Sequence, residues 1–228
     1  MVSNVPRAGK RRVALVLPAL LIALGLALSS CATGSGFVYV SSSDRRAYFK
    51  IPDNWRFFDK RDLLVASGQS LSAESNRQLS WLIGYDASPK PSIQHILSLA
   101  DAPSYPVVTA RVQSLPFQVR DELSLATLRN WVYPVDRLIQ ANLGEMISYK
   151  DVVLPGGLHG SDMTFDVVLG GVGNVAVNNQ VIRVTQEAIV DPPTNRLYLF
   201  VLRCESHCYR DNKTLIDQIA QSWTVKEH

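Results

Sequence analysis

Residues 47–55 read Ala47-Tyr48-Phe49-Lys50-Ile51-Pro52-Asp53-Asn54-Trp55, a stretch that sets the first elements of the domain. Ala47 to Ile51 has the composition of a strand. Pro52 stops it, because proline has no N–H to give a ladder, and Asp53-Asn54 supplies turn chemistry. Trp55, with Phe57 and Phe58 just beyond, then covers one end of a core. Working backward, Phe37 to Val40 reads as a second strand across the polar turn Ser41 to Arg46, so the domain begins with a hairpin.

Working forward, residues 67–78 are polar and turn-like, Leu79 to Tyr85 reads as a strand, Ser92 to Leu99 as a short helix and Pro106 to Val112 as another strand. Ser124 precedes Leu125, Leu128 and Val132 at helical spacing, with Asp121 and Glu122 near the positive end. A helix from about 121 or 124 to 131 follows, with Pro134 close to its end. Gly144 to Leu154, Asp162 to Leu169, Gln180 to Val190 and Arg196 to Arg203 are four strand candidates, each bounded by Gly-rich or Pro/Asn turns. Asp211 or Asn212 caps a last helix with Leu215, Ile216, Ile219 and Ala220 on one face, after which Trp223 and Val225 return toward the sheet. Hairpin-connected strands with few helices indicate an α+β fold, an α/β/α sandwich with a largely antiparallel sheet.

The hairpin ending in Tyr48 to Trp55, a mid-chain Gly-Gly turn followed by strands, and a last helix closing on Gln221-Ser222-Trp223-Thr224-Val225 resemble the PsbP-like fold, and within it LpqN-like lipoproteins. The resemblance spans nearly all of 37–227. It implies a sandwich used for docking or assembly, with no shared catalytic centre to carry over. The sequence departs from the pattern at Asn54, where the superfamily commonly has glycine before the tryptophan, and in its Cys204/Cys208 pair.

The first 30 residues read differently from the rest. Basic residues lie at 7–12, and Val13 to Leu28 is an uncharged run of 16 residues before Ser29-Ser30-Cys31. The run is short against the ~20 apolar residues that span a bilayer, although Ser29 to Thr33 extend it to a marginal anchor, so an uncleaved anchor stands as the alternative. Leu28-Ser29-Ser30-Cys31 resembles the lipobox of bacterial lipoproteins. That resemblance implies cleavage before Cys31 and diacylglyceryl or palmitate-type acylation of its thiol, and two acyl chains hold stably where one does not. Arg11-Arg12 faintly resembles a twin-arginine signal, but Val-Ala-Leu follows; either export route ends outside the cytoplasm. The expected organisation is a signal peptide at 1–30, a lipidated tether at 31–36 and a globular domain at 37–228.

Charge must be counted after that processing. Four of the 23 basic residues, Arg7, Lys10, Arg11 and Arg12, and none of the 20 acidic ones lie in 1–30, so the remainder carries 19 against 20, a net −1 instead of +3. Nothing then points to nucleic acid. With Cys31 acylated, Cys204 and Cys208 are an even pair in an oxidising compartment and are expected as a disulfide. A bridge across four residues forces a turn between strand and helix, and contributes only about 2 kcal/mol. The competing use of Cys204, His207 and Cys208 for metal or haem lacks the C-x-x-C-H order and a nearby fourth ligand.

The most distinctive internal segment is Leu154 to Gly160, where Gly156, Gly157 and Gly160 would let backbone amides approach an anion beside His159. The plainer reading is a glycine turn between strands. Gly170 to Asn174 reads as a hairpin tip, since neither a Lys-Ser/Thr nor a helix follows it. No G-x-S-x-G elbow occurs, and His159, Ser161 and Asp162 cannot form a triad by themselves because neighbours on a strand alternate faces. Asp121-Glu122 reads as a helix start, and Asp59 and Asp62 as solvated strand ends. Trp55, Trp81, Trp131 and Trp223 are expected in core and rim packing. The functional expectation is a non-catalytic binding or assembly module at the extracytoplasmic face of the membrane. It would need no cofactor or metal, and its partners would be the membrane through Cys31 and an envelope protein or a small apolar ligand. An envelope-acting hydrolase is the alternative.

Overall fold

A computed structural model describes residues 36–99, 104–116, 123–169 and 180–227. Strands β1 (Phe37–Ser41) and β2 (Ala47–Pro52) form the opening hairpin. Ser42 closes its turn, its N–H donating to the Ala47 carbonyl at 2.9 Å and its hydroxyl accepting the Ala47 N–H at 3.0 Å. Alternation then puts Ala47, Phe49 and Ile51 on one buried face. β3 (Arg56–Phe58), β4 (Leu79–Asp86), β5 (Val107–Ser114), β6 (Gly144–Val153), β7 (His159–Leu169), β8 (Gln180–Asp191) and β9 (Arg196–Glu205) make a seven-stranded sheet in the order β3-β4-β5-β9-β8-β7-β6, antiparallel throughout. The hairpin does not join it. It pairs with β10 (Thr224–Val225) into a separate three-stranded sheet.

The described helices are α1 (Lys60–Ala66), α2 (Glu74–Gln78), α3 (Ile93–Leu97), α4 (Leu125–Arg129), α5 (Val135–Gln140), α6 (Ser206–Asp211) and α7 (Lys213–Ala220). Strand β9 shows how the layers stack. Its even-numbered Tyr198, Phe200 and Leu202 join Phe49, Trp81, Ile216 and Trp223 in a core beneath the small sheet and α7. Its odd-numbered Leu197, Leu199 and Val201 join Leu128, Val135, Met163 and Phe165 beneath α4 and α5. A smaller cluster of Leu63, Ile96 and Val107 sits beneath α1 and α3. A strand covered on both faces reads as a continuous apolar run, as Leu197 to Leu202 does. The architecture is therefore α+β in three layers: helices, the seven-stranded sheet, and an outer layer shared by α7 and the three-stranded sheet. Gly36–His228 forms one compact unit, and the three clusters found among the described residues all lie within it.

Several elements differ from expectation. Asp59 and Asp62 are not strand ends: Asp59 caps α1, accepting the Asp62 N–H at 2.8 Å, while the Asp62 carboxylate accepts the Asp59 N–H at 3.3 Å. The turn-like stretch 67–78 contains α2. Pro134 starts α5 where an end was expected, and α6 begins directly at Ser206. Asn212 lends α7 no side-chain cap, and donates instead to the Cys208 carbonyl at the end of α6. Residues 1–35, Asp121-Glu122 and Gly170 to Asn174 lie outside the described residues, and so does every expectation placed on them, Cys31 included. No described helix is long and apolar enough to cross a membrane.

Candidate functional site

Cys204 is the penultimate residue of β9 and Cys208 lies in α6; a disulfide joins them with Cα atoms 6.0 Å apart. Both are buried against the core under the small sheet. Gly156, Gly157, His159 and Gly160 surround the β6–β7 turn. Gly156 and Gly157 take φ values of 74° and 80°, which favour glycine. The Leu154 N–H donates to the Leu158 carbonyl at 2.9 Å and closes the loop on itself. The polar partner of the His159 ring is the Gly157 oxygen of that loop, at 3.2 Å. Gly160 serves packing, since a Cβ there would lie 1.9 Å from the Ala188 carbonyl oxygen on β8. On β7, Ser161 faces the helical layer opposite Ala188 and Asp162 faces away opposite Glu187, so His159, Ser161 and Asp162 do not converge. Trp55, Trp81 and Trp223 are core residues, and Trp131 packs at the rim of the helical side.

The structure brings together a different set. Where α1 and α3 close over β4, β5 and β9, they leave a cavity of about 460 Å³. Ten of its sixteen lining residues are aliphatic, among them Leu63 and Leu64 of α1, Leu82 of β4, Ile96 of α3 and Leu199 and Val201 of β9. Gly84 lets α3 approach, because a Cβ there would fall 2.7 Å from the Ile96 side chain. Asp86 ties down the segment before α3. Its carboxylate accepts the Ser88 and Ser92 N–H groups at 2.8 Å each and meets His95 Nδ1 at 2.8 Å. Lys60 fixes the other side, its ammonium donating to the Asn76 and Leu79 carbonyls.

Two guanidinium groups line this apolar space, with Tyr133 beside them. Arg111 lies on β5 between Leu82 and Leu199, and Arg203 on β9 between Val107 and Val184. Arg203 Nη2 donates to the carbonyls of His95, Ile96 and Ser98 at 2.9, 2.9 and 3.1 Å, satisfying the C-terminal end of α3. Arg203 Nη1 and Arg111 Nε are buried with no hydrogen-bond partner among the described residues. Burial lowers the pKa of both arginines. Burial likewise raises the Tyr133 hydroxyl, against the pull of the Arg203 and Arg111 charges. Neither arginine belongs to a motif in the sequence. The available signal was a cation inside Val107 to Val112 and another ending the apolar run Leu197 to Leu202, in strands whose composition implies cover on both faces.

On the opposite face of the sheet, Lys150, Asp162 and Glu187 stand side by side on β6, β7 and β8, bordering a cleft of about 400 Å³. Burial, then the neighbouring Asp162 charge, push Glu187 up to about 8, with Lys150 opposing. Burial raises Asp162 as well.

No family model and no curated protein matches the sequence. Among solved structures, the chain is similar to cyanobacterial PsbP (CyanoP) from Synechocystis sp. PCC 6803, with 13% identity, 88% of this chain and 99% of that chain covered, and a TM-score of 0.43. The Saccharomyces cerevisiae Ran-binding protein Mog1p gives 10% identity, 85% and 97% coverage and a TM-score of 0.43. LpqN of Mycobacterium tuberculosis, described as involved in cell envelope biogenesis, gives 16% identity, 84% and 91% coverage and a TM-score of 0.40.

Proposed function

We propose that the chain is an exported lipoprotein, cleaved before Cys31 and acylated there, with Cys204 and Cys208 oxidised. Its domain would act at the extracytoplasmic membrane surface as a non-catalytic module that binds a small apolar ligand. The observation that carries the reading is the cavity between α1, α3 and the sheet, of a size and lining suited to a small ligand with a few fixed polar groups. A domain tethered to the membrane by its N-terminus would meet such ligands at high local concentration.

Two measurements test this. Cys31→Ala should abolish labelled-palmitate incorporation and leave the protein uncleaved, whereas a wild-type protein that keeps residues 1–30 and takes up no lipid would refute the anchoring. Native mass spectrometry of the Gly36–His228 unit after exposure to an envelope lipid extract should show one ligand per chain, lost when Leu82→Trp fills the cavity. One observation favours the hydrolase alternative: Glu187 is held protonated near neutral pH beside Asp162 in the second cleft, the pairing that general acid–base chemistry uses. Glycosidase or esterase turnover by the wild type that disappears in Glu187→Gln would establish it.

A further inference from the structure

We infer that the cavity takes a single-chain amphiphile with a small oxyanion head group, its head against Arg111 and Arg203 and its chain among Leu63, Leu82 and Ile96. This rests on reading the cavity as a ligand site, and adds the ligand's charge and shape.

Arg203 is only 4% exposed, and among the described residues Nη1 has no partner while Nη2 makes three bonds to neutral carbonyls. Arg111 makes none of the side-chain hydrogen bonds found among the described residues, and its Nε is likewise buried. No ion pair among the described residues includes either arginine. The contrast with the other buried cation is informative, since Arg46 is paired with Asp191. A buried charge lacking a counter-ion is among the costliest arrangements a fold can hold, and Arg111, half-buried, turns a second bare Nε to the same apolar space. An oxyanion relieves both penalties, because the guanidinium fork fits carboxylate and phosphate oxygens. Tyr133 lines the same cavity and offers a hydroxyl donor. A site for a free anion would not need ten aliphatic walls, and a site for a neutral hydrocarbon would not need two unpaired cations. Both together describe one amphiphile.

Titration calorimetry on the Gly36–His228 unit decides the matter, with decanoate, decyl phosphate, 1-decanol, decylammonium and inorganic phosphate as probes. Decanoate and decyl phosphate should bind roughly tenfold to a hundredfold more tightly than 1-decanol, the factor that charged hydrogen bonds supply. Decylammonium should bind most weakly of the decyl probes, and inorganic phosphate far more weakly than decyl phosphate. Arg111→Met should sharply reduce the preference for decanoate over 1-decanol. That variant is the primary one, since Arg203 also holds the end of α3; Arg203→Met is read only where its thermal transition persists. Equal binding of decanoate and 1-decanol overturns the charged head group and leaves the cavity reading standing. Binding of no decyl probe removes the cavity reading and this inference with it. A preference that survives in both arginine variants places the head group elsewhere, and inorganic phosphate binding as tightly as decyl phosphate makes the site one for a free oxyanion.

Discussion

Glu187 lies opposite Asp162 on β7 and Phe200 on β9, so its carboxyl is held among carbon atoms and a second acid. In the unfolded chain it releases its proton near its ordinary 4.5, and in the fold near 8. Between those values the folded state binds more protons than the unfolded state, so stability falls as pH rises. Below about 4.5 both states are protonated and the residue costs nothing; above about 8 the full penalty is present. Asp162, also raised by burial, acts in the same direction. Glu187→Gln keeps the neutral shape at every pH. It should match wild type at pH 4 and exceed it by roughly 3–5 kcal/mol at pH 8, the cost of holding proton release near 8 instead of 4.5. Urea unfolding at the two pH values measures this, and a difference that does not change with pH would show that Glu187 releases its proton in the fold as it does in the unfolded chain. Asp44 shows the opposite outcome. Burial alone would raise it, but hydrogen bonds from Ser42, Tyr198, the Arg46 backbone and Arg196 together outweigh burial and hold it below the usual carboxylate range.

Helix α1 is seven residues long, too short to persist in water by propensity alone, so its cap and its buried Leu63 and Leu64 decide whether it forms. Asp59→Ala removes one half of the capping box and should cost about 1 kcal/mol. Since Leu63 and Leu64 are cavity wall, the effect should be local and functional. Faster amide exchange in 60–67 and weaker decanoate binding are expected together, and unchanged exchange there would show that packing alone holds the helix. This element also explains what the sequence did and did not disclose. Leu79 to Tyr85, Pro106 to Val112 and the four later strands were legible because each is an apolar run bounded by turn chemistry, and the structure places β4 to β9 there within a few residues. Strand β3, with three residues, and helices α1, α5 and α6, with six or seven, have too few turns or alternations to show a period. Arg111 and Arg203 were invisible as a site for the same reason. They line a cavity that α1 and α3 close, Arg203 buried and Arg111 half-buried, and α1 could not be read. The glycines at 156, 157 and 160 were legible as special backbone positions, but a sequence cannot show whether a glycine faces a ligand or, as at Gly160, a neighbouring strand.

At the scale of the whole molecule, the two ends of the domain meet and hold one outer layer in place. The Ser222 hydroxyl accepts the Lys50 N–H at 2.9 Å, and Lys226 exchanges bonds with Arg46, its N–H reaching the Arg46 carbonyl and its carbonyl taking Arg46 Nε, both at 2.9 Å. Arg46 continues to Asp191 on β8, so the small sheet is bolted to the large one by a buried ion pair. Trp223 is the apolar part of the same joint, its ring 6.1 Å from Phe49 of the hairpin and 5.3 Å from Phe200 of β9. Trp223→Ala should therefore cost about 3–5 kcal/mol, a large share of the ~5–15 kcal/mol that holds an ordinary domain. For a domain of this size that corresponds to a fall in Tm of roughly 6–20 °C. The cavity lies on the far side of the sheet, but Phe200 beneath Trp223 and Val201 in the cavity wall are consecutive residues of β9. If the layers form one cooperative unit, the variant's loss of far-ultraviolet dichroism and its loss of decanoate binding should follow a single transition on heating. A variant whose aromatic signal melts first while decanoate still binds would show that the hairpin layer detaches by itself, and that the sheet with α1 and α3 suffices to hold the site.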